Sequence, residues 1–376
     1  MHSVKQLLDP ICTTNQLKNL LMSSTSPNIK QNTDQKSYVE LPVEPMDPQL
    51  KTIQPGGGII INLEMLWGNW RRFWLKTFRR GYVNQMENTR KGDFNPCPHD
   101  VLDPRDLKYY ENQGGYYWDK NDDPFTYRSQ LPFAREGLAE LIVLSILFFG
   151  GALLGIGFIL TSQLPGFLTA IGWLLVLTLC LFGLEIVWFF RNPKRVVPEG
   201  DELIVSPADG TFDTIEEIEH HDFIGGPAIE IGIFLSIFNV HINRMPVTGK
   251  IIKLAYKPGK CLNALRAESA RENERLEIYL QMPHPVLRPM LVQQITGAIA
   301  RRIVCRLKPG DKLRKGDQFG MIKLGSRTVI VFPKEEGLEI LTKPGDKLKA
   351  GSTILARYAS SHDKNPSVAE EINEEA

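Results

Sequence analysis

Two long, nearly continuous apolar runs dominate the pattern of hydrophobic and polar positions along the chain. They cover residues 138–160 and 167–190, and the short segment TSQLPG separates them. As a helix rising about 1.5 Å per residue, each run is long enough to cross a hydrocarbon core of roughly 30 Å. Charge enters the runs only at Glu140 and Glu185, near their outer ends, which disfavours a buried soluble hairpin. The pattern therefore predicts a two-helix transmembrane hairpin over 138–190.

Basic residues flank this hairpin on both outer sides. Arg128 and Arg135 precede the first run, Arg191, Lys194 and Arg195 follow the second, and the connecting segment carries no charge. By the positive-inside rule both flanks are expected in the cytoplasm. The N-terminal sequence does not read as a secretory signal. The expected location is the inner cell membrane, with the C-terminal domain on its cytoplasmic side.

After the hairpin, residues 191–358 change to short β-rich runs separated by Gly, Pro and Asp. The runs lie in DELIVSPADGTFDTIEEI, AIEIGIFLSIF, GKIIKLAYK, RLEIYLQM, ARRIVCRL and SRTVIVF. This spacing predicts a mostly antiparallel β domain. Only LNALRAESARENER and PMLVQQITGAIARR are predicted as helices in this part of the chain.

Part of the β domain is internally repeated. The segment KPGDKLRKGDQFG at 308–320 returns as KPGDKLKAGSTIL at 343–355, and each copy contains a Pro-Gly-Asp turn. In pattern, this duplicated hairpin is similar to the flattened sandwich of biotinyl and lipoyl carrier domains. The predicted fold is a mostly β (α+β) domain with a barrel-sandwich-like core, joined to the transmembrane hairpin.

The remaining segments carry less regular patterns. Residues 1–58 are polar and predict a disordered arm, and residues 359–376 form an acidic tail that is also expected to be disordered. Residues 59–135 contain WGNWRRFWLKTFRR, in which aromatic and basic side chains are interleaved. This N-terminal region is predicted either to lie at a membrane–water interface or to pack as an amphipathic helix on its own domain. Liposome binding after deletion of 59–80 would separate these interpretations.

Composition excludes several classes of protein. The balance of 43% hydrophobic and 23% charged residues is typical of a folded protein that does not bind nucleic acid, and the net charge of +1 hides an uneven distribution of 44 basic and 43 acidic residues. The five cysteines include no C-x-x-C pair, which argues against a disulfide framework. Cys97, His99 and Asp100 could ligate a metal, but without a second cluster a loop is favoured and no metal site is predicted.

Three polar residues beside apolar runs are candidates for catalysis. Asp209 lies in a turn after ELIVS, His241 closes the run LSIFNV, and Ser326 follows Gly325 at the head of RTVIVF. Singly, each has a structural explanation as a turn, core or strand residue. Together they could supply a carboxylate, a base and a nucleophile, with a glycine carbonyl open to attack. LGSR is not the G-x-S-x-G elbow of α/β hydrolases, which weakens a hydrolase interpretation.

Five sequence motifs, in order, carry a family resemblance. They are FFRNPKRVVPEGDELIVSPADG, FLSIFNVHINRMPVTGKI, SARENER, GAIARRIVC and GMIKLGSRTVIVFP. Together they resemble the shorter form of the phosphatidylserine decarboxylases over about 189–332. Residues 1–135 lie outside this resemblance.

The resemblance implies a self-processing, membrane-bound, pyruvoyl-dependent enzyme that converts phosphatidylserine to phosphatidylethanolamine. In this family the serine of a Gly-Ser pair attacks the preceding carbonyl, and elimination and hydrolysis turn that serine into a pyruvoyl group. Carried onto this chain, cleavage falls between Gly325 and Ser326 and leaves a β chain of 1–325 and an α chain of 326–376. Asp209 and His241 match the family's activating pair. The pyruvoyl group would act as the electron sink when CO2 leaves.

One position departs from the family pattern. Some members carry a second histidine three places after the first, where this chain has Arg244. Either His241 serves both self-cleavage and decarboxylation, or Arg244 binds the substrate carboxylate or phosphate. Asn243, Arg301 and Arg302 are further candidates for substrate binding. The implied partners are phosphatidylserine, the bilayer and the α and β chains of one precursor, and a homodimer is left open.

Gly351-Ser352, in the second copy of the repeat, is an internal control. It lacks the apolar strand that follows Ser326 and is predicted to stay intact. Two alternative functions also predict an intact chain. One is a non-catalytic, membrane-tethered β module of the carrier or adaptor kind, and the other is a serine lipid hydrolase that reacts with a fluorophosphonate at Ser326. The order of the five motifs favours the decarboxylase over both.

Overall fold

Antiparallel sheets and two long apolar helices make up most of the described part of the chain. The computed structural model describes residues 38–55, 59–92, 100–110, 116–260, 262, 269–297, 302–323 and 325–359. The predictions for residues 1–37, Cys97, His99, Arg301 and the tail from 360 onward lie outside these residues. The described helices are α1 (Ile59–Phe78), α2 (Arg80–Thr89), α3 (Leu138–Thr161), α4 (Gly166–Phe189) and the single turn α5 (Ser269–Glu272).

The two predicted apolar runs are helical, as α3 and α4. By length and composition both could cross a membrane, and only 6% and 11% of their most apolar windows are buried within the protein. They pack on each other as an antiparallel pair through small residues. A Cβ added to Gly155 of α3 would lie 3.0 Å from Val176 of α4, so the glycine permits this close approach.

Fourteen described strands form three antiparallel sheets, so the prediction of a mostly β domain is confirmed. The strands are β1 (Leu203–Val205), β2 (Gly210–His221), β3 (Gly226–Leu235), β4 (Ile242–Arg244), β5 (Gly249–Lys257), β6 (Arg275–Gln281), β7 (Pro289–Thr296), β8 (Arg302–Cys305), β9 (Lys312–Leu313), β10 (Gln318–Lys323), β11 (Ser326–Pro333), β12 (Glu339–Ile340), β13 (Lys347–Leu348) and β14 (Ile354–Arg357). The sheet orders are β13-β2-β3-β11-β7-β6-β5-β9, β4-β10-β8 and β1-β14-β12.

Strand β11 runs through the middle of the eight-stranded sheet. It pairs with β3 on one side and β7 on the other, and every one of its residues is buried. A strand covered on both faces needs the continuous β-branched and aromatic run that RTVIVF supplies. Because β10 belongs to the small sheet and β11 to the large one, the chain crosses between sheets just before Ser326.

The prediction of a helix in PMLVQQITGAIARR is wrong. Its first half forms β7 between β6 and β11, and Arg302 begins β8. A short apolar run fits a buried strand and a buried helix equally well, and here the two neighbouring strands decide the outcome. In LNALRAESARENER the described helix is only α5, and Arg275 already belongs to β6.

The arm predicted to be disordered as far as residue 58 is ordered over 38–55. Met46 and Leu50 are buried in the main core of the β domain. Gln281 donates to Val39 O at 2.7 Å and accepts from Leu41 N at 2.9 Å. Burial of a few apolar side chains in an otherwise polar segment is enough to order it. Because most residues of the arm are polar, its composition gave no sign of these two anchors.

Helix α1 buries Arg71 and exposes its large aromatic side chains. Arg71 is buried and pairs with Asp103 at 2.6 Å and with Asp106. The opposite face exposes a run of large apolar side chains, namely Leu63, Leu66, Trp67, Trp70, Phe73, Trp74 and Phe78. The helix therefore packs on its own region and leaves an apolar surface uncovered, and an interfacial position for that surface stays a prediction.

Replacing Leu50 by Ala is expected to lower the free energy of unfolding by about 2–4 kcal/mol, because it leaves a cavity in the core that the arm helps to fill. Val43→Ala, on a side chain that is 40% exposed, is the matched control and should cost well under about 1 kcal/mol. Thermal unfolding of the detergent-solubilised protein measures both. Equal effects of the two substitutions would show that the arm is not part of the core.

Candidate active site

Strand pairing brings His241 to the Gly-Ser pair. His241 directly precedes β4, and Gly325 follows β10 by one residue. The antiparallel register of β4 and β10 sets Ile242 opposite Met321, and His241 O accepts from Ile322 N at 3.2 Å. As a result the imidazole reaches Gly325, whose N–H donates to His241 Nε2 at 3.2 Å.

Gly325 has a backbone conformation that favours glycine. Its φ is +70°, in the left-handed region, where a side chain would be strained. Space is not the reason, because a Cβ built at Gly325 meets no described atom within 4 Å. The glycine therefore turns the chain from β10 into β11 and holds its peptide against His241.

The hydroxyl of Ser326 is buried without a described hydrogen-bond partner. Ser326 is the first residue of β11, lies between Leu235 of β3 and Thr296 of β7, and is 0% exposed. Buried hydroxyls are normally hydrogen-bonded, yet Oγ of Ser326 has no partner among the residues that the structure describes. This hydroxyl can be turned into another group without breaking a described hydrogen bond.

His241 is held neutral and in one orientation. Nδ1 lies 2.9 Å from the carbonyl of Asn239, and the ring packs on Phe189 with centroids 4.5 Å apart. Burial lowers the pKa of His241 from 6.5 to about 4, the charge of Arg191 acts in the same direction, and the hydrogen bond to Asn239 opposes both. The hydrogen bonds assign the proton to Nδ1 and leave the lone pair of Nε2 facing Gly325.

Asp209 does not orient His241 in this structure. Its carboxylate accepts from Ala350 N at 2.8 Å and from Arg195 at 2.6 Å. The position beside Nδ1 is occupied by the Asn239 carbonyl instead. Of the three residues predicted from the sequence, the fold thus brings His241 and Ser326 to the same peptide and places Asp209 in a separate ion pair.

Asn243 and Arg244 make internal hydrogen bonds. Asn243 is fully buried, donates to Thr328 Oγ1 at 3.1 Å and accepts from Gln294 at 2.9 Å. Arg244 is partly buried and donates to Gly316 O at 3.0 Å. In this conformation both side chains support the strands around the site.

Arg302 belongs to a buried ionic cluster at the start of α3. It pairs with Glu140 at 2.9 Å, and Glu140 also pairs with Lys323 of β10. Lys323 is only 5% exposed and additionally donates to Glu136 O at 3.2 Å. Since Lys323 is two residues before Gly325, this cluster attaches the end of β10, which leads into the Gly-Ser pair, to the first apolar helix.

Sequence reasoning missed the residues at the end of α4 that surround His241. Arg191 donates to Phe238 O at 2.9 Å and lies 4.0 Å over the Trp188 ring. Phe238, three residues before His241, is 61% exposed beside this cluster. The motif FFRNPKR begins within the end of the second apolar run, with no linker between them. This continuity is the sequence signal that could have indicated that the end of the helix lies beside the site.

Glu140→Ala is expected to destabilise the protein by roughly 3–5 kcal/mol, because Lys323 and Arg302 lose their shared buried counter-charge. Glu339→Ala removes the partner of exposed Arg357 and should change stability by less than about 1 kcal/mol. Thermal unfolding in detergent compares the two. A loss of stability in Glu140→Ala as small as that in Glu339→Ala would contradict a stabilising role of the buried ionic cluster.

Acid is expected to destabilise the uncleaved Ser326→Ala chain more than the Ser326→Ala/His241→Gln chain. As the pH is lowered from 6.5 to 4, the free energy of unfolding of the first protein should fall by up to about 3 kcal/mol more than that of the second. Between these pH values the unfolded imidazole binds a proton and the buried one does not, so acid favours unfolding. Above pH 6.5 the two proteins should keep a constant difference. Parallel pH profiles through this window would show that His241 is not held neutral by the fold.

Comparisons with known proteins identify one family to which the chain is similar. A family model described as phosphatidylserine decarboxylase matches residues 182–356, which include His241, Gly325 and Ser326. The phosphatidylserine decarboxylase proenzyme of Rhodopirellula baltica is 46% identical over 252 residues, covering 67% of this chain and 99% of that protein. The proenzyme of Carboxydothermus hydrogenoformans is 42% identical over 230 residues, covering 61% of this chain and 98% of that protein. The chain belongs to the phosphatidylserine decarboxylase family.

Proposed function

We propose that this chain is the self-processing precursor of a membrane-bound, pyruvoyl-dependent decarboxylase that converts phosphatidylserine to phosphatidylethanolamine. The observation that carries the proposal is the local geometry at one peptide. Gly325 is left-handed, its N–H lies on the neutral His241 Nε2, and the next residue carries a buried hydroxyl with no described partner. Family membership supplies the reaction class, and this geometry supports the position of cleavage.

Self-cleavage begins with attack of Ser326 Oγ on the carbonyl carbon of Gly325. A C–O bond forms, the Gly325–Ser326 C–N bond breaks, and the hydroxyl proton passes by way of His241 to the departing nitrogen, which leaves an ester. Loss of the Cα proton of residue 326 then breaks its Cβ–O bond and releases the Gly325 carboxylate. Water hydrolyses the resulting dehydroalanine, releasing ammonia and leaving the pyruvoyl ketone.

The residues present fit a pyruvoyl group at position 326. The partnerless Oγ means that its loss removes no described hydrogen bond from the core of the protein. When present, the pyruvoyl group supplies an electrophilic carbonyl that takes up electrons as CO2 leaves. His241, neutral near pH 7, is placed to hold or pass a proton beside residue 326.

We add Arg191 to the candidates predicted from the sequence for binding the anionic headgroup. Asn243, Arg244 and Arg302 are engaged in internal hydrogen bonds and ion pairs, and Arg191 likewise donates to Phe238 O at 2.9 Å. Arg191 is half-buried at the end of α4 and its charge acts on His241. A guanidinium there can pair with the lipid phosphate or carboxylate close to the reacting carbonyl.

We assign α3 and α4 to the bilayer and the β domain to its cytoplasmic surface. Their length and apolar composition, together with the basic flanks, support this placement in the inner membrane. The exposed Trp and Phe face of α1 suits the interface beside them. A lipid substrate then reaches the site by diffusion within the membrane.

We also propose that the two copies of the repeat form a duplicated hairpin around a barrel-sandwich-like core. In their favour, both copies of the repeat close the same turn, with Asp311 accepting from Lys308 N at 2.8 Å and Asp346 from Lys343 N at 2.9 Å. The short strands that follow, β9 and β13, lie at opposite edges of the eight-stranded sheet. This placement fits two related hairpins that bracket one core.

The alternative functions have less support from the site. A serine hydrolase needs a carboxylate on the histidine, whereas Asp209 pairs with Arg195. A non-catalytic tethered module gives no reason for a partnerless buried hydroxyl beside a neutral imidazole. Both alternatives predict a chain that stays intact.

Intact mass spectrometry of the purified protein is expected to find two chains, with the fragment 326–376 carrying a pyruvoyl-mass first residue. Ser326→Ala should abolish both the fragment and the release of CO2 and phosphatidylethanolamine from phosphatidylserine vesicles. Ser352→Ala is the matched control, because Gly351 is also left-handed, with φ +71°, yet its nearest described side chain is Arg244 rather than a histidine. A fragment that begins at residue 352, or full activity of Ser326→Ala, would overturn the proposal.

A further inference from the structure

A large groove lies apart from the Gly-Ser site, between the N-terminal region and the first apolar helix. Its volume is about 1280 Å³, and its walls come from α1, the segments 104–109 and 116–131, the first turns of α3 and the loop 306–312. Ser326 and His241 are not among its lining residues. It exceeds the roughly 300–1,000 Å³ of pockets that hold drug-sized molecules, so it suits a larger ligand.

One wall of the groove is apolar and continues along α3. Leu63 and Trp67 of α1 face it, together with Leu138, Ile142 and Val143 of α3. Ile142 and Val143 are 57% and 63% exposed, so this wall opens onto the helix surface assigned to the bilayer. A ligand in the groove can therefore extend hydrocarbon chains directly into the surrounding lipid.

The other end of the groove is cationic. Eight of its lining residues are Arg or Lys, against five Asp or Glu. Arg128, Arg135 and Arg306 line the same groove, and the charges of Arg306 and Arg128 both act against the positive charge of Arg135. Asp123, 3.7 Å from Arg135, and Glu136, 2.9 Å from Arg306, offset part of this charge. Crowded like charges at a partly buried position are relieved when an anion enters between them.

We infer that this groove binds an anionic phospholipid at a site separate from the reacting serine. The phosphate lies among Arg128, Arg135 and Arg306, and the acyl chains follow Ile142 and Val143 along α3. A lipid is favoured over a soluble anion because the cationic end and the bilayer-facing apolar wall are continuous. The inference rests on α3 lying in the membrane and does not depend on the decarboxylation itself.

The test uses full-length Ser326→Ala protein, which cannot form the pyruvoyl group, and phosphatidylglycerol, which has no amine to react. Binding is measured by native mass spectrometry of the protein in detergent. We expect the variant Arg128→Gln/Arg135→Gln/Arg306→Gln to bind dioleoyl phosphatidylglycerol about 100-fold more weakly, from roughly a fivefold step per lost cation. Phosphatidylcholine should bind the unaltered groove far more weakly than phosphatidylglycerol.

Two control variants separate this site from general charge effects. Lys334→Gln/Lys343→Gln/Arg357→Gln removes three exposed cations of the β domain and should leave binding unchanged. Lys in place of the three groove arginines keeps the charge and should retain most of the affinity. Self-cleavage of the Gln variant in a chain that keeps Ser326 reports whether that variant folds. If it misfolds, the Lys variant still gives a result, because it preserves the charge of the groove.

Three results would overturn the inference. Equal phosphatidylglycerol binding by the groove variant and the β-domain variant would show that the groove is not the site. Displacement of phosphatidylglycerol by millimolar inorganic phosphate, with no gain in affinity from dihexanoyl to dioleoyl chains, would indicate a soluble-anion site. Equal binding of phosphatidylcholine would show that the arginines do not select an anion.

Discussion

The hydrogen bond from Gly325 N–H to His241 Nε2 depends on the pairing of β4 with β10, and the rest of the site depends on that bond. The pairing sets the histidine backbone against Ile322 and carries the imidazole to Gly325, whose carbonyl is attacked in the proposed self-cleavage. The left-handed glycine then turns the chain into the large sheet, where β3 and β7 fix Ser326 from both sides. The proposed nucleophile, carbonyl and base are thus positioned by strand register.

The same strands are attached to the apolar hairpin. Phe189 of α4 packs on the His241 ring, and Glu140 of α3 pairs with Lys323, two residues before Gly325. Between these contacts, Leu141 and Phe190 join Val240 and Ile242 in one buried cluster. A reaction on a lipid headgroup needs its reactive group held at a fixed depth from the bilayer. In the proposed membrane placement, direct packing of both helix ends onto the strands that carry His241 and Lys323 would provide that depth.

The sequence was sufficient for the helical hairpin and the β class, and it singled out His241 and Gly325, which the fold brings into contact, because long apolar runs and ordered motifs are local signals. It could not give the partner of Asp209, since Arg195 and Ala350 meet that carboxylate only through tertiary contacts. Residues 289–296 were mistaken for helix because a short apolar run has no distinguishing period, and their two strand neighbours lie far away in sequence. The ordered part of the arm was missed for a similar reason. Two buried side chains, Met46 and Leu50, hold a segment whose average composition is polar.

The most direct test of this account is the time course of self-cleavage after cell-free synthesis of the His241→Gln precursor into liposomes. Glutamine can still accept the Gly325 hydrogen bond, but its amide cannot take up and return the hydroxyl proton. We predict that this precursor folds to the same protease-resistant β domain as Ser326→Ala and stays intact. Cleavage between Gly325 and Ser326 at the unaltered rate would contradict the role of His241 as the proton carrier for this peptide.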